Sequence, residues 1–283
     1  MNRSYLIVAA DKEKHLDKLN DLKCDVAMIN LEDGVCDKSN ALELLSKKFK
    51  KDGLKCKNKK IVVRINPLDE GGDNEIKVLN SLKPDAIRVS KVKTIDDVKL
   101  ALSLIDEDIK IHLSIETKEA LENLTKLKVD KRVETVYLGI LDMLESLYLP
   151  QSLVTLDNPT VEYILSRFLI DSRIAGFNPV SFTYQDYKNT QEFENWCKKT
   201  KKMGFESKCC ISPTQVDIVN KIFTIDEKII EKAKYIKNIF ENKKNDGITG
   251  FSDEKYGFID EPIYKDSLLI INNHTKQLTL EII

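Results

Sequence analysis

The chain has little with which to bind zinc. Its 283 residues include only three histidines, His15, His112 and His274. Its six cysteines, Cys24, Cys36, Cys56, Cys197, Cys209 and Cys210, form no CxxC pair and follow no regular spacing. Neither a zinc cluster nor a disulfide framework is expected, and reduced thiols in a cytoplasmic protein are the simplest reading. An excess of one charge is missing too. Lys and Arg number 45 against 46 Asp and Glu, a net charge of -1, so no global basic field draws in nucleic acid or an anionic membrane. No apolar run approaches a bilayer span. The first, "YLIVAA", is followed at once by "DKEKH", and no signal-peptide pattern precedes it. No glycine-rich turn follows that run either, and no solenoid-period repeat or low-complexity stretch occurs.

What is present is a series of short aliphatic or β-branched runs, at 5–10, 26–31, 61–65, 86–89, 111–115, 135–138, 180–183 and 209–211. Each suits a strand buried on both faces. Helical spacing fills the gaps. Leu42, Leu45 and Phe49 share a face, with Asn40 and Glu43 resembling a capping box. Ile95, Val98, Leu102 and Ile105 share another, and Val161, Ile164, Leu165 and Phe168 a third. Eight strands alternating with helices predict a TIM (β/α)₈ barrel over residues 1–240 rather than an open doubly wound sheet. Residues 241–250, "ENKKNDGITG", read as a linker, and 251–283 as a C-terminal helical tail packing on the barrel or on a neighbouring subunit.

In such a barrel the site lies at the carboxyl ends of the strands. The second run ends in Glu32 and Asp33, the third in Arg64 and Asn66, the fourth in Lys91 and the fifth in Glu116, while Asp142 lies just beyond the sixth. Taken singly, a carboxylate after a strand is the cap of the next helix, and Thr117 and Asp142 suit that role. Jointly, Glu116 and Asp142 with an arginine across the mouth make a candidate site for Mg²⁺, which accepts few protein ligands and keeps its waters. The lysine runs at 47–51 and 55–60 read as a solvated helix end and loop. Cys209, Cys210, Phe193 and Trp196 read as core. Pro150 and Pro159 mark a break between helices, in a stretch that would cover substrate.

The ordered stretches "RSYLIVAA", "NLEDGV", "VVRINPLD", "AIRVSKVKTIDDV", "LSIET", "LGILD", "MGFESKCCISPTQVDIVN" and "GFIDEP" resemble the citrate lyase β-subunit family, whose relatives include malyl-CoA and citramalyl-CoA lyases. The resemblance implies a Mg²⁺-dependent carbon–carbon lyase of a β-hydroxy acyl compound, a hydroxyacyl-CoA thioester above all, working as a homotrimer or hexamer. Glu116 and Asp142 would be metal ligands, Arg64 catalytic and substrate-binding, Lys91 substrate-binding, and Glu32 and Asp33 supports of the metal's waters. Asp260 would be the acid/base, supplied from a neighbouring subunit. The alternatives are a CoA-free aldolase of a small 2-oxo or hydroxy acid, or a silent ligand-binding barrel. Departures from the family pattern are Ala9-Ala10, Ser90, Leu141, Asn178 and Ser212.

Overall fold

The computed structural model describes residues 2–50, 53–56 and 58–281. Eight strands carry the fold: β1 (Ser4–Ala9), β2 (Val26–Asn30), β3 (Lys60–Ile65), β4 (Ala86–Val89), β5 (Lys110–Ile115), β6 (Val133–Leu138), β7 (Asn178–Val180) and β8 (Lys208–Cys210). All pair in parallel, in the order β7-β6-β5-β4-β3-β2-β1-β8. The ring closes just past β7. There the Ser181 N–H donates to Ser207 O at 3.0 Å and the Cys209 N–H to Ser181 O at 3.1 Å. The expected barrel is therefore the observed one, with strand ends displaced by at most three residues.

The continuous apolar runs follow from burial on two sides. Tyr5, Val26, Met28, Val62, Ala86, Tyr137, Val180 and Cys209 form one cluster inside the ring. The alternate residues Leu6, Ala27, Ile29, Val63 and Ile87 belong to a second cluster beneath the helices, which also takes in Phe193 and Trp196. The period of two thus divides each strand between two cores.

The outer helices are α1 (Glu13–Asp17), α2 (Lys38–Phe49), α3 (Gly72–Leu82), α4 (Ile95–Leu104), α5 (Lys118–Asn123), α6 (Ile140–Ser146), α7 (Pro159–Ala175), α8 (Thr190–Met203) and α9 (Pro213–Phe223). The capping box expected from Asn40 and Glu43 does not form. Asp37 caps α2 instead, accepting from the Asn40 N–H at 2.9 Å, because the helix begins three residues earlier than a cap at Asn40 implies. Pro150 opens a short 3₁₀ turn (Gln151–Leu153), and Pro159 begins α7, as expected of a break. In the lysine runs, Lys47 pairs with Glu43 and Lys55 with Asp85, both at 2.6 Å; residues 51 and 57 lie outside the described residues.

The chain divides into two compact units between Phe223 and Thr224. The C-terminal unit consists of α10 (Glu227–Asn245), β9 (Gly250–Asp253), β10 (Gly257–Asp260) and α11 (Glu261–Glu281). Buried Ile236, Phe240 and Ile259 form its core, and the Phe240 and Tyr264 rings stack 4.5 Å apart. The stretch 241–250, expected as linker, carries the last turn of α10 and the first residue of β9. Lysine and glutamate are good helix formers, so charge alone did not end the helix.

Candidate active site

A cavity of about 340 Å³ lies at the carboxyl ends of the barrel strands. Asn30, Asp33, Arg64, Arg88, Glu116 and Asp142 line its polar side, and Leu138, Leu141 and Ile211 its apolar side. Glu116 reaches it because β5 ends at Ile115 and another residue caps the following helix. Thr117 accepts from the Ala120 N–H at 3.2 Å, which frees the Glu116 carboxylate to turn inward. Asp142 does not cap either. It sits in the first turn of α6, whose N-cap is Gly139, and its carboxylate makes no hydrogen bond or ion pair among the described residues.

Arg64 organises the acidic groups. Its Nη2 lies 2.7 Å from Glu32 Oε2, 3.1 Å from Glu116 Oε1 and 3.8 Å from Asp33 Oδ2. Burial opposes the charge on Arg64, but Glu116, Glu32, Asp33 and Asp142 together outweigh it and hold the guanidinium protonated. A second arginine sits deeper. The Arg88 guanidinium lies 3.4 Å from Glu116 Oε1 and 4.3 Å from the centre of the Tyr137 ring. The backbone N–H of Lys91, a residue in the left-handed region at φ 51°, donates to Glu116 Oε2 at 3.3 Å. The Lys91 ammonium is held above its ordinary value: partial burial opposes it, and Glu32, Asp33, Glu70 and Asp142 prevail.

Four carboxylates thus meet three cationic side chains, and two of the acids carry the strain. Burial pushes Glu32 up to about 7 against the pull of Arg64. Burial, then the charges of Glu116 and Asp33, raise Asp142, with Arg64 and Lys91 opposing. Two buried acceptor atoms, Glu32 Oε1 and Asn30 Oδ1, have no donor among the described residues. The Asn30 amide cannot be turned to relieve this, since its Nδ2 donates to Asp33 O at 2.6 Å. Among the described residues no group of three or more His, Cys, Asp or Glu is set to hold a metal ion. The unpartnered Asp142, the free side of Glu116 and the two orphaned oxygens are all hard donors, and they fit a small divalent cation that keeps several waters. They do not fit a metal needing a full protein cage.

Arg64, Glu32, Asp33, Glu116, Asp142 and the Lys91 backbone are therefore gathered at one mouth. Asp260 belongs to the C-terminal unit, where it ends β10 and accepts from the Ile263 N–H at 3.2 Å. Sequence reading passed over Arg88, Asn30 and Gly139. Arg88 carried a signal: in "AIRV" it has the parity of inward-facing Ala86, and a charge at such a position is costly without a task. Cys209 and Cys210 are buried as expected, although Cys209 also touches the cavity floor. His112 is inside the barrel, its Nδ1 2.8 Å from the Tyr137 hydroxyl.

A model of the HpcH/HpaI aldolase/citrate lyase family matches residues 3–213. The chain is 27% identical over 248 residues to a protein of Cereibacter sphaeroides named (3S)-malyl-CoA thioesterase, covering 87% of this chain and 85% of that one. It is 24% identical over 292 residues to the mitochondrial citramalyl-CoA lyase of Rattus norvegicus, covering 95% of this chain and 85% of that one. Among solved structures it resembles the protein CitE from Mycobacterium tuberculosis in complex with magnesium, acetoacetate and coenzyme A. The TM-score is 0.77 at 17% identity, over 97% of this chain and 98% of that one, a likeness of fold.

Proposed function

The chain belongs to the HpcH/HpaI aldolase/citrate lyase family, and from that premise we propose that it is a Mg²⁺-dependent carbon–carbon lyase of a β-hydroxy acyl-CoA thioester. One observation carries the proposal: Asp142, a half-buried carboxylate without a hydrogen bond or ion pair among the described residues, lines the same cavity as Glu116, and Arg64 is fixed beside them. An acid in that state is free to take a cation as partner.

In this reading Glu116 and Asp142 would hold the ion, and Glu32 and Asp33 would support its waters, with the Oε1 of Glu32 left without a donor among the described residues. When bound, Mg²⁺ supplies stabilisation for the negative charge that grows on the acyl oxygen as the carbon–carbon bond breaks. Arg64, held between Glu32 and Glu116, presents a fixed guanidinium to the same charge or to the substrate carboxylate. Lys91 adds a second cation at the rim for the substrate's acid groups. Cleavage converts the hydroxyl carbon to a carbonyl, so the hydroxyl proton must leave and the released carbon must gain one. In this reading Asp260 of a neighbouring subunit handles that traffic, as the resemblance of "GFIDEP" to the family implies, and the protein works as a homo-oligomer, a trimer or a hexamer. The apolar wall of Leu138, Leu141 and Ile211 keeps water from the reacting carbon. No helix among the described residues is long and apolar enough to cross a membrane, and the free cysteines suit a reducing, cytoplasmic setting.

Thioester hydrolysis is the second reading, favoured by the relatives named as thioesterases. Products separate the two. Malyl-CoA or citramalyl-CoA incubated with the full chain and Mg²⁺ is expected to give a 2-oxo acid and a shorter acyl-CoA, and nothing after chelation. Release of free thiol without an oxo acid would assign hydrolysis. Turnover of a small 2-oxo acid with an aldehyde, and of no thioester, would assign the CoA-free aldolase. No turnover at all, with Mg²⁺ bound, would leave a silent ligand-binding barrel.

A further inference from the structure

Arg88 is gripped from four directions inside the barrel. Its Nε donates to Ser114 Oγ at 2.8 Å, its Nη1 to Met28 Sδ at 3.2 Å and its Nη2 to Glu116 Oε1 at 3.4 Å, while the guanidinium carbon lies 4.3 Å from the centre of the Tyr137 ring. Only 4% of the residue is exposed, and all of its guanidinium nitrogens are committed to these contacts. Its reach ends on one atom, Oε1 of Glu116.

That oxygen already accepts from Arg64 Nη2 at 3.1 Å. Two guanidinium groups therefore occupy Oε1, whereas among the described residues Oε2 accepts only a backbone N–H, from Lys91 at 3.3 Å. The side chain that carries this carboxylate is itself seated against Gly139, where an added Cβ would lie 2.5 Å from Glu116 Cγ. Glu116 consequently offers a cation one oxygen, not two. The two biological alkaline-earth cations respond differently to that restriction. Mg²⁺ takes single oxygens and retains water in a tight octahedral shell, whereas the larger Ca²⁺ collects six to eight oxygens and gains from carboxylates that bind through both.

Resting on the metal reading above, we infer that Arg88 is a positioning residue that holds Glu116 as a one-oxygen ligand and so favours Mg²⁺ over Ca²⁺ at this site. The surroundings of Arg88, Met28 and the Tyr137 face, tolerate an unbranched apolar side chain, so Arg88→Met frees Oε1 from one guanidinium with little repacking. Removing a positive charge also tightens binding of any cation, but both ions carry the same charge. Their affinity ratio cancels that contribution.

The test is calorimetric titration of the metal-free full chain with Mg²⁺ alone and with Ca²⁺ alone. It compares the unaltered protein, Arg88→Met, and Ser114→Ala, which removes the Nε anchor and leaves the arginine in place. The Ca²⁺-to-Mg²⁺ affinity ratio is expected to rise by about fivefold in Arg88→Met, equivalent to about 1 kcal/mol, and by less, in the same direction, in Ser114→Ala. Should Arg88→Met fail to fold, Ser114→Ala alone decides. A ratio unchanged in the folded variants, with Mg²⁺ still bound by the unaltered protein, overturns the role of Arg88 and leaves the metal reading standing. Absence of binding by the unaltered protein overturns both.

Discussion

Glu116 lies against Gly139 so closely that a single methyl group would collide with it: a Cβ built on Gly139 falls 2.5 Å from Glu116 Cγ and 3.0 Å from its Oε1. The backbone of Gly139, at φ -93° and ψ 86°, makes no demand for glycine, so the demand is for space alone. Gly139→Ala is expected to push the carboxylate out of its place between Arg64 and Arg88. Mg²⁺ affinity and turnover should each fall by about tenfold or more, since misplacement of the order of an ångström is enough. Titration and steady-state kinetics on the variant check this. A Gly139→Ala protein that binds and turns over normally would mean that Glu116 has no fixed station.

Glu116 and Asp142 should separate in their effects on stability even though both are assigned to the metal. Glu116→Gln leaves Arg64 and Arg88, both buried, with one carboxylate fewer, so the metal-free protein should melt lower. Asp142→Asn removes a charge that burial and the charges of Glu116 and Asp33 oppose more than Arg64 and Lys91 favour it, so the metal-free protein should melt at the same temperature or higher. Both variants should lose most activity, about a hundredfold, together with the thermal stabilisation that Mg²⁺ confers. Melting curves with and without Mg²⁺, run beside the assay, read both effects. Near-normal turnover of either variant would end the two-ligand assignment.

How far these sites were legible in the sequence differs from residue to residue. The strands announced themselves because a barrel strand is apolar on both faces, and "VAMIN" or "IVVRI" can be little else. Thr117 was readable as a cap, since its hydroxyl needs only its own chain. Helix starts were harder: Asp37, not Asn40, caps α2, and nothing in the apolar spacing ranks one polar residue over another. The extent of α10 was hidden by its lysines, because the anchoring contacts of Phe240 come from Ile259 and Tyr264, far along the chain. Arg88 was passed over for the same reason. Its meaning comes from Ser114, Tyr137 and Glu116 on other strands, so composition and spacing identify the position but not the partner.

The acidity of Glu32 gives the metal-free protein a pH dependence with a definite sign. Burial raises this carboxyl from 4.5 to about 7. The native state then keeps a proton that the unfolded chain has lost, so the contribution to stability is fully present below 4.5 and is lost as pH rises through about 7. Glu32→Gln, which keeps the shape without the titration, should remove that part of the slope. Denaturant midpoints of both proteins at a series of pH values between about 4.5 and 7.5 test the difference. Parallel curves would show that Glu32 titrates alike in the folded and unfolded chain.

Lys208 raises the opposite case, a buried base with no acid. It is wholly buried on β8, outside the ring, and makes no ion pair among the described residues. Its Nζ donates to Phe182 O at 3.0 Å and to Ser181 Oγ at 3.5 Å, and lies 3.9 Å from the centre of the Phe182 ring. Those contacts fall beside the Ser181–Lys208 bridge that closes the barrel, where the ladder is shortest. Burial lowers the proton affinity of Lys208. The unfolded chain therefore holds the proton more tightly than the native state, and the contribution of Lys208 to stability declines as pH falls from about 10. Lys208→Met keeps the volume and removes the ammonium, at the cost of leaving Phe182 O without its donor, about 1–3 kcal/mol. Burying an unpaired ammonium costs several kcal/mol, which outweighs that loss, so the variant should be at least as stable at pH 7. The advantage should shrink as pH rises toward 10 and the native amine sheds its proton more readily than the unfolded one. Denaturant midpoints of the two proteins at pH 7 and pH 10 check both statements. A variant much less stable than the parent at pH 7 would mean that the amine closes the seam more tightly than its burial opposes it.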